Sequence, residues 1–165
     1  MICNDQRFLS LSTSFIIPFE PKNVNPSSID LCLGEIYRIP FTENWSRPYQ
    51  IKDEGLKLKA GQFVLMHTYE RIKMPKHHAA YISLKSTTAR KGIEHLNAGF
   101  IDPGFEGQIT LELINHWPFE QTLYKYESIV QLVLFDAYIP KKTYDKTGHY
   151  QGQIGATPPW MWEKK

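Results

Sequence analysis

Within residues 107–115, GQITLELIN, polar and apolar side chains alternate from Gln108 to Leu113. Successive strand residues project to opposite faces, so Ile109, Leu111 and Leu113 point one way and Gln108, Thr110 and Glu112 the other. Further runs have strand character: QFVLMHT (62–68), AAYISL (79–84) beyond Pro75, and SIVQLVLF (128–135). The last is nearly continuous in apolar residues, which predicts burial on both faces. Residues 11–18 read as a short strand stopped by Pro18, and residues 41–57 as a polar surface excursion. Eleven prolines and ten glycines punctuate the 165 residues, and Phe, Tyr and Trp reach 13%. Frequent breaks with many aromatic residues favour short strands over long helices. Only STTARKGI (86–93) reads as a helical turn, with Ser86 as its cap and Gly92 at its end. The expectation is one all-β domain spanning 1–165, closed by a flexible C-terminal arm over about 140–165.

The net charge of +2, with both signs interspersed, is too small for a nucleic-acid footprint. It is compatible with a small anion held by a few placed cations. Cys3 and Cys32 form neither a metal-type spacing nor a disulfide framework. No apolar run approaches a membrane span, so a cytoplasmic setting is expected.

Four segments offer chemistry. Glu112 is a carboxylate inside an apolar strand, costly to bury unless paired; the pattern alone favours a solvent-exposed face, since alternating strands commonly have one wet face. Asp102 stands in AGFIDPGFEG, where Asp-Pro-Gly is a turn signal and the glycines allow close backbone approach to a ligand. LKSTTARKGI gathers Lys85, Ser86, Thr87, Arg90 and Lys91 as hydroxyls and cations suited to an anion such as phosphate, or equally as a capped surface helix. TGHYQGQIG is a glycine-rich segment of the kind that closes over substrates, or a plain tail. The zinc-deaminase signature is missing, so a deamination here proceeds without zinc.

In order, PSSIDLCLG (26–34), GQFVLMHTYERIKMP (61–75), KSTTAR (85–90), AGFIDPGFEGQITLELIN (98–115), YESIVQLVLF (126–135) and HYQGQIGATPP (149–159) resemble the dCTP deaminase family of the dCTP deaminase/dUTPase superfamily. The resemblance implies a distorted jelly-roll-like β domain assembled as a homotrimer, with active sites at subunit interfaces. It implies that Glu112 activates water for attack on C4 of cytosine and protonates the departing amino group. Ser86 and Arg90 would complete the catalytic set. Lys85 and Thr87 would bind phosphate, the backbone at Ala98 would position water, and Asp102 would lie near the deoxyribose. Tyr144, His149 and Gln153 would close over the nucleotide, which brings Mg2+ with its triphosphate. The implied reaction is dCTP to dUTP and ammonia; the alternatives are a bifunctional enzyme that also cleaves dUTP to dUMP, a dUTP diphosphatase, and a catalytically silent nucleotide-binding module. Three positions depart from the pattern: Cys32 and Lys85 where the family has Arg, and His149 where lysine is common.

Overall fold

In a computed structural model, residues 1–41, 44–96 and 98–160 are described. The strands in chain order are β1 (Ile16–Ile17), β2 (Val24–Asn25), β3 (Ser28–Cys32), β4 (Ile36–Tyr37), β5 (Pro40–Phe41), β6 (Asn44–Trp45), β7 (Tyr49–Gln50) and β8 (Leu56–Leu58). There follow β9 (Phe63–Lys73), β10 (His78–Leu84), β11 (Ile93–His95), β12 (Phe100–Ile101), β13 (Glu106–Asn115), β14 (Gln121–Leu123) and β15 (Ser128–Asp136). Three short helices interrupt them: α1 (Asp5–Leu11), α2 (Ser86–Arg90) and α3 (Tyr144–Thr147). None is long and apolar enough to cross a membrane.

Two sheets carry the fold. One has the order β1-β9-β13-β11 and the other β12-β10-β15-β3-β2, with antiparallel pairing throughout. Ile109, Leu111 and Leu113 of β13 are buried, as the alternation predicts, and join Val64, Met66, Ile29, Leu31, Leu132 and Leu134 in one hydrophobic cluster. Such side chains contribute about 1.5–3 kcal/mol each on burial. The register between β9 and β13 shifts between Gln108 and Thr110, and there the Thr68 hydroxyl accepts from the Ile109 amide at 3.0 Å. A side chain thus supplies the acceptor at the irregularity.

β15 departs from the expected two-sided burial. Val130, Leu132 and Leu134 are buried while Gln131, Val133 and Phe135 are half-buried. The strand alternates after all, and a register shift between Ser128 and Val130 brings Ile129 inside as well. The polar run 41–57 contributes β6 and β7, and its Trp45 packs edge-on to Phe63 with ring centroids 5.7 Å apart. The N-terminal segment forms α1, capped by the Asn4 side chain, and the strand expected over 11–18 shrinks to β1. Helix α2 starts as expected near Ser86, but Lys85 holds the cap position and no side chain caps it; Gly92, at φ +77°, ends the turn.

One buried histidine fixes the start of the β3–β4 connection. His67 Nε2 accepts from the Ile36 amide at 3.1 Å, and its Nδ1 lies 2.8 Å from the Thr68 carbonyl oxygen. The ring leaves no room beside Gly34, where an added Cβ would stand 2.1 Å from it. Burial holds the His67 imidazole below its ordinary pKa.

Candidate active site

A cleft of about 470 Å³ opens on the polar face of β13. Glu112 pairs with Leu65 and Ile114 with Phe63, so Phe63, Leu65, Thr110 and Glu112 share one face and line the cleft. Trp45 and Phe100 extend the apolar wall, while Asp102, Tyr144 and Gln153 bring polar groups to it. A mostly apolar concavity with a few convergent polar groups is the usual form of a small-molecule site. Glu112 does not lie on an open wet face: its side chain is 26% exposed, and its Oε2 lies 3.1 Å from Nε2 of His95, whose side chain is 4% exposed. His95 ends β11, and the Leu96 amide donates to the Glu112 carbonyl at 3.1 Å. The histidine therefore braces one carboxylate oxygen while the rest of the group faces the cleft. Sequence reasoning missed His95, because six scattered histidines show no spacing that singles one out.

The C-terminal segment folds over the same strand. The Gln108 amide donates to the Gln153 carbonyl at 3.0 Å, and Gln153 Nε2 donates back to the Gln108 carbonyl at 2.7 Å. Gly155 N–H donates to Gln108 Oε1 at 2.7 Å, and Thr157 N–H to Thr110 Oγ1 at 3.3 Å. Arg38 Nε holds the far end through the Ala156 carbonyl at 2.8 Å. Gly107 permits this approach, since a Cβ there would lie 3.0 Å from the Gln153 carbonyl oxygen. Tyr144 OH accepts from the Tyr150 amide at 3.3 Å, and burial raises the pKa of its phenol. His149 is exposed, stacks near Trp160 with ring centroids 4.5 Å apart, and does not line the cleft.

Of the sequence-predicted residues, Glu112, Ala98, Asp102, Tyr144 and Gln153 meet at the cleft. Lys85, Ser86, Thr87 and Arg90 do not line it within the same chain. Ser86, Thr87 and Arg90 are exposed on α2, whereas Lys85 Nζ is ion-paired with Asp30 and donates to Ser128 Oγ at 3.1 Å. Lys85 is thus ion-paired within its own chain. At the neighbouring departure, the Cys32 amide donates to Glu70 Oε2 at 2.9 Å, and burial pushes the Cys32 thiol up to about 12. A thiol held protonated is a poor nucleophile.

The two facing β sheets, with a cleft on the central strand, define a β enzyme of the dUTPase-like fold. The dUTPase from Streptococcus mutans superposes with a TM-score of 0.51 at 20% identity, over 79% of this chain and 95% of that one. The 2'-deoxycytidine 5'-triphosphate deaminase from Agrobacterium tumefaciens superposes with a TM-score of 0.69 at 20% identity; 83% of this chain spans 48% of that one. At the level of sequence, residues 2–137 match the dCTP deaminase-like family, and the chain belongs to it. A relative from Nanoarchaeum equitans, named "dCTP deaminase, dUMP-forming", is 34% identical over 99% of this chain and 98% of its own length.

Proposed function

We propose that this chain is a hydrolase that deaminates dCTP and carries the product on to dUMP and pyrophosphate. The observation that carries the deamination is Glu112, half-buried on the floor of an apolar cleft and braced by His95. In this reading Glu112 takes a proton from a water molecule as its oxygen attacks C4 of cytosine. It then returns that proton to the amino group, and the C4–N bond breaks to release ammonia. A single carboxylate suffices for both transfers because each leaves it ready for the next. Among the described residues, one histidine stands beside Glu112 and no cysteine lines the cleft, a set unlike the three-ligand zinc site of the zinc deaminases, which supports a zinc-independent reaction.

The further step to dUMP departs from the simpler expectation of dUTP as the end product. It rests on the name of the Nanoarchaeum equitans relative, which this chain matches almost end to end. In that step water attacks the α-phosphorus and pyrophosphate leaves.

Among the described residues, the cleft lining contains Asp102 and Glu112 but no lysine or arginine. Such a wall repels a bare triphosphate, so a magnesium–nucleotide complex fits it better; the ion neutralises phosphate charge, and Asp102 is free to meet the sugar. The missing positive charge is supplied in a homotrimeric assembly by Arg90, which with the hydroxyls of Ser86 and Thr87 is exposed on α2 and faces the cleft of a neighbouring subunit. Tyr144 and Gln153 close the nucleotide in from the strap.

The test is incubation of the purified protein with magnesium and dCTP, dUTP, dCMP or CTP, following ammonia and pyrophosphate separately. Both products from dCTP are expected, with pyrophosphate also from dUTP. Ammonia alone would restore dUTP as the product, and neither product with retained nucleotide binding would leave a silent binding module.

A further inference from the structure

Away from the cleft, three donors from distant parts of the chain converge at one corner of the five-stranded sheet. Cys3 is held beside β15 by its amide, which donates to the Leu134 carbonyl at 2.8 Å. His78 opens β10 and is the register partner of Asp136, the last residue of β15. The Cys3 thiol lies 3.7 Å from Asp136 Oδ1, and His78 Nε2 lies 3.5 Å from the same oxygen. All three donor atoms fall within 4.8 Å of one another. Cys3 and His78 are buried, at 5% and 0% exposure, while the Asp136 side chain is 53% exposed and leaves an approach from solvent.

We infer that Cys3, His78 and Asp136 form a binding site for a zinc-class divalent cation that clips the N-terminal segment to the sheet. Zinc takes thiolate at about 2.3 Å and imidazole or carboxylate at about 2.0–2.2 Å, so a tetrahedral site has ligand edges of about 3.3–3.6 Å. The two measured edges are already close to that size. A mixed sulfur, nitrogen and oxygen set suits zinc or cobalt over the hard cations, which take oxygen alone. Arg7 Nε donates to His78 Nε2 at 3.2 Å, so the ring proton sits on Nδ1 and Nε2 carries a lone pair that a cation would take over from Arg7.

Arg7 is the competitor. Its guanidinium uses the lone pair that the cation needs, and its Nη2 lies 3.5 Å from His77 Nε2. It sits half-buried on α1, so loading the site swings it toward solvent. Binding displaces the thiol proton of Cys3 to solvent, the sulfur–hydrogen bond being exchanged for a sulfur–metal bond. A water molecule on the exposed side of Asp136 completes four-coordination. The site is structural: it takes no part in the cleft chemistry proposed above and stands or falls separately from it.

The experiment uses the full chain after dialysis against a chelator, titrated with Co2+ alone and then with Zn2+. One Co2+ per chain is expected, with a thiolate-to-cobalt charge-transfer band that Zn2+ abolishes by displacement. Cys3→Ser should remove the band, and Asp136→Asn, at an exposed position that spares the core, should weaken Co2+ binding at least tenfold. Arg7→Gln should tighten it. The thermal midpoint of the parent should rise with Zn2+, and that of Asp136→Asn should not. Absence of binding overturns the inference. So does cobalt bound without the charge-transfer band, which would place it on other histidines, or a weaker affinity in Arg7→Gln.

Discussion

Glu112 and His95 form the smallest unit on which the proposed chemistry depends. Replacing Glu112 with Gln keeps the shape and removes the proton carrier. Ammonia release should fall by about 10²–10⁴-fold while dCTP binding is largely retained, a split read by steady-state rates beside nucleotide titration. His95→Gln takes away the imidazole brace; loss of a hydrogen bond to a charged group is worth about 1.5–3 kcal/mol, so kcat should drop about 10–100-fold with KM little changed. An unchanged kcat would make His95 a packing residue only. Glu112 was legible from strand alternation, which placed it opposite the core, and from the ordered motifs around it. Its half-burial was not, because what covers that face comes from forty residues downstream. His95 was invisible for a related reason: its partner lies across a strand pair, and only the register of β11 on β13 brings the two together.

At the level of elements, β13 serves two masters, core and cleft. Leu113→Ala should cost about 2–5 kcal/mol, seen as a lower denaturant midpoint at unchanged m-value. Gly107→Ala acts on the other side, driving a Cβ against the Gln153 backbone. The expected result is a raised KM for dCTP with little loss of global stability. Equal losses in both would show that the strap and the sheet unfold together. The sequence marked residues 140–165 as an arm because their glycines, prolines and polar groups build no core of their own. Where the arm lies was beyond its reach: the fastening runs largely through backbone groups of Gly152, Gln153, Gly155 and Ala156, which every residue type possesses. The same limit explains β15, where a register shift at Ser128–Val130, unmarked by any glycine, altered which residues turn inward.

For the molecule as a whole, acid should act through its buried histidines. Burial lowers the pKa of His67, and burial with the neighbouring His77 and Arg7 charges lowers that of His78 to about 4. Both are neutral in the folded state and protonate more readily when unfolded, so stability is full above about pH 6.5 and declines as pH falls toward 4. Buried Glu70, whose carboxyl is raised, has the opposite sign and returns part of that loss on protonation. Denaturant midpoints measured across this range should therefore fall, and His78→Leu should flatten the slope. Assembly is tested by mixing Glu112→Gln chains with Arg90→Ala chains, each inactive alone. If Arg90 crosses from a neighbour, random mixed trimers regain about a quarter of intact sites; if it serves its own chain, none return. The strap carries one more implication, for traffic between two reactions. Under the proposed two-step reaction, a C-terminal segment fastened along β13 at the cleft would hold the intermediate in place, with deaminated nucleotide cleaved where it was made. Labelled dCTP turned over amid excess unlabelled dUTP should then yield undiluted labelled dUMP, and Gly107→Ala should let the pools exchange.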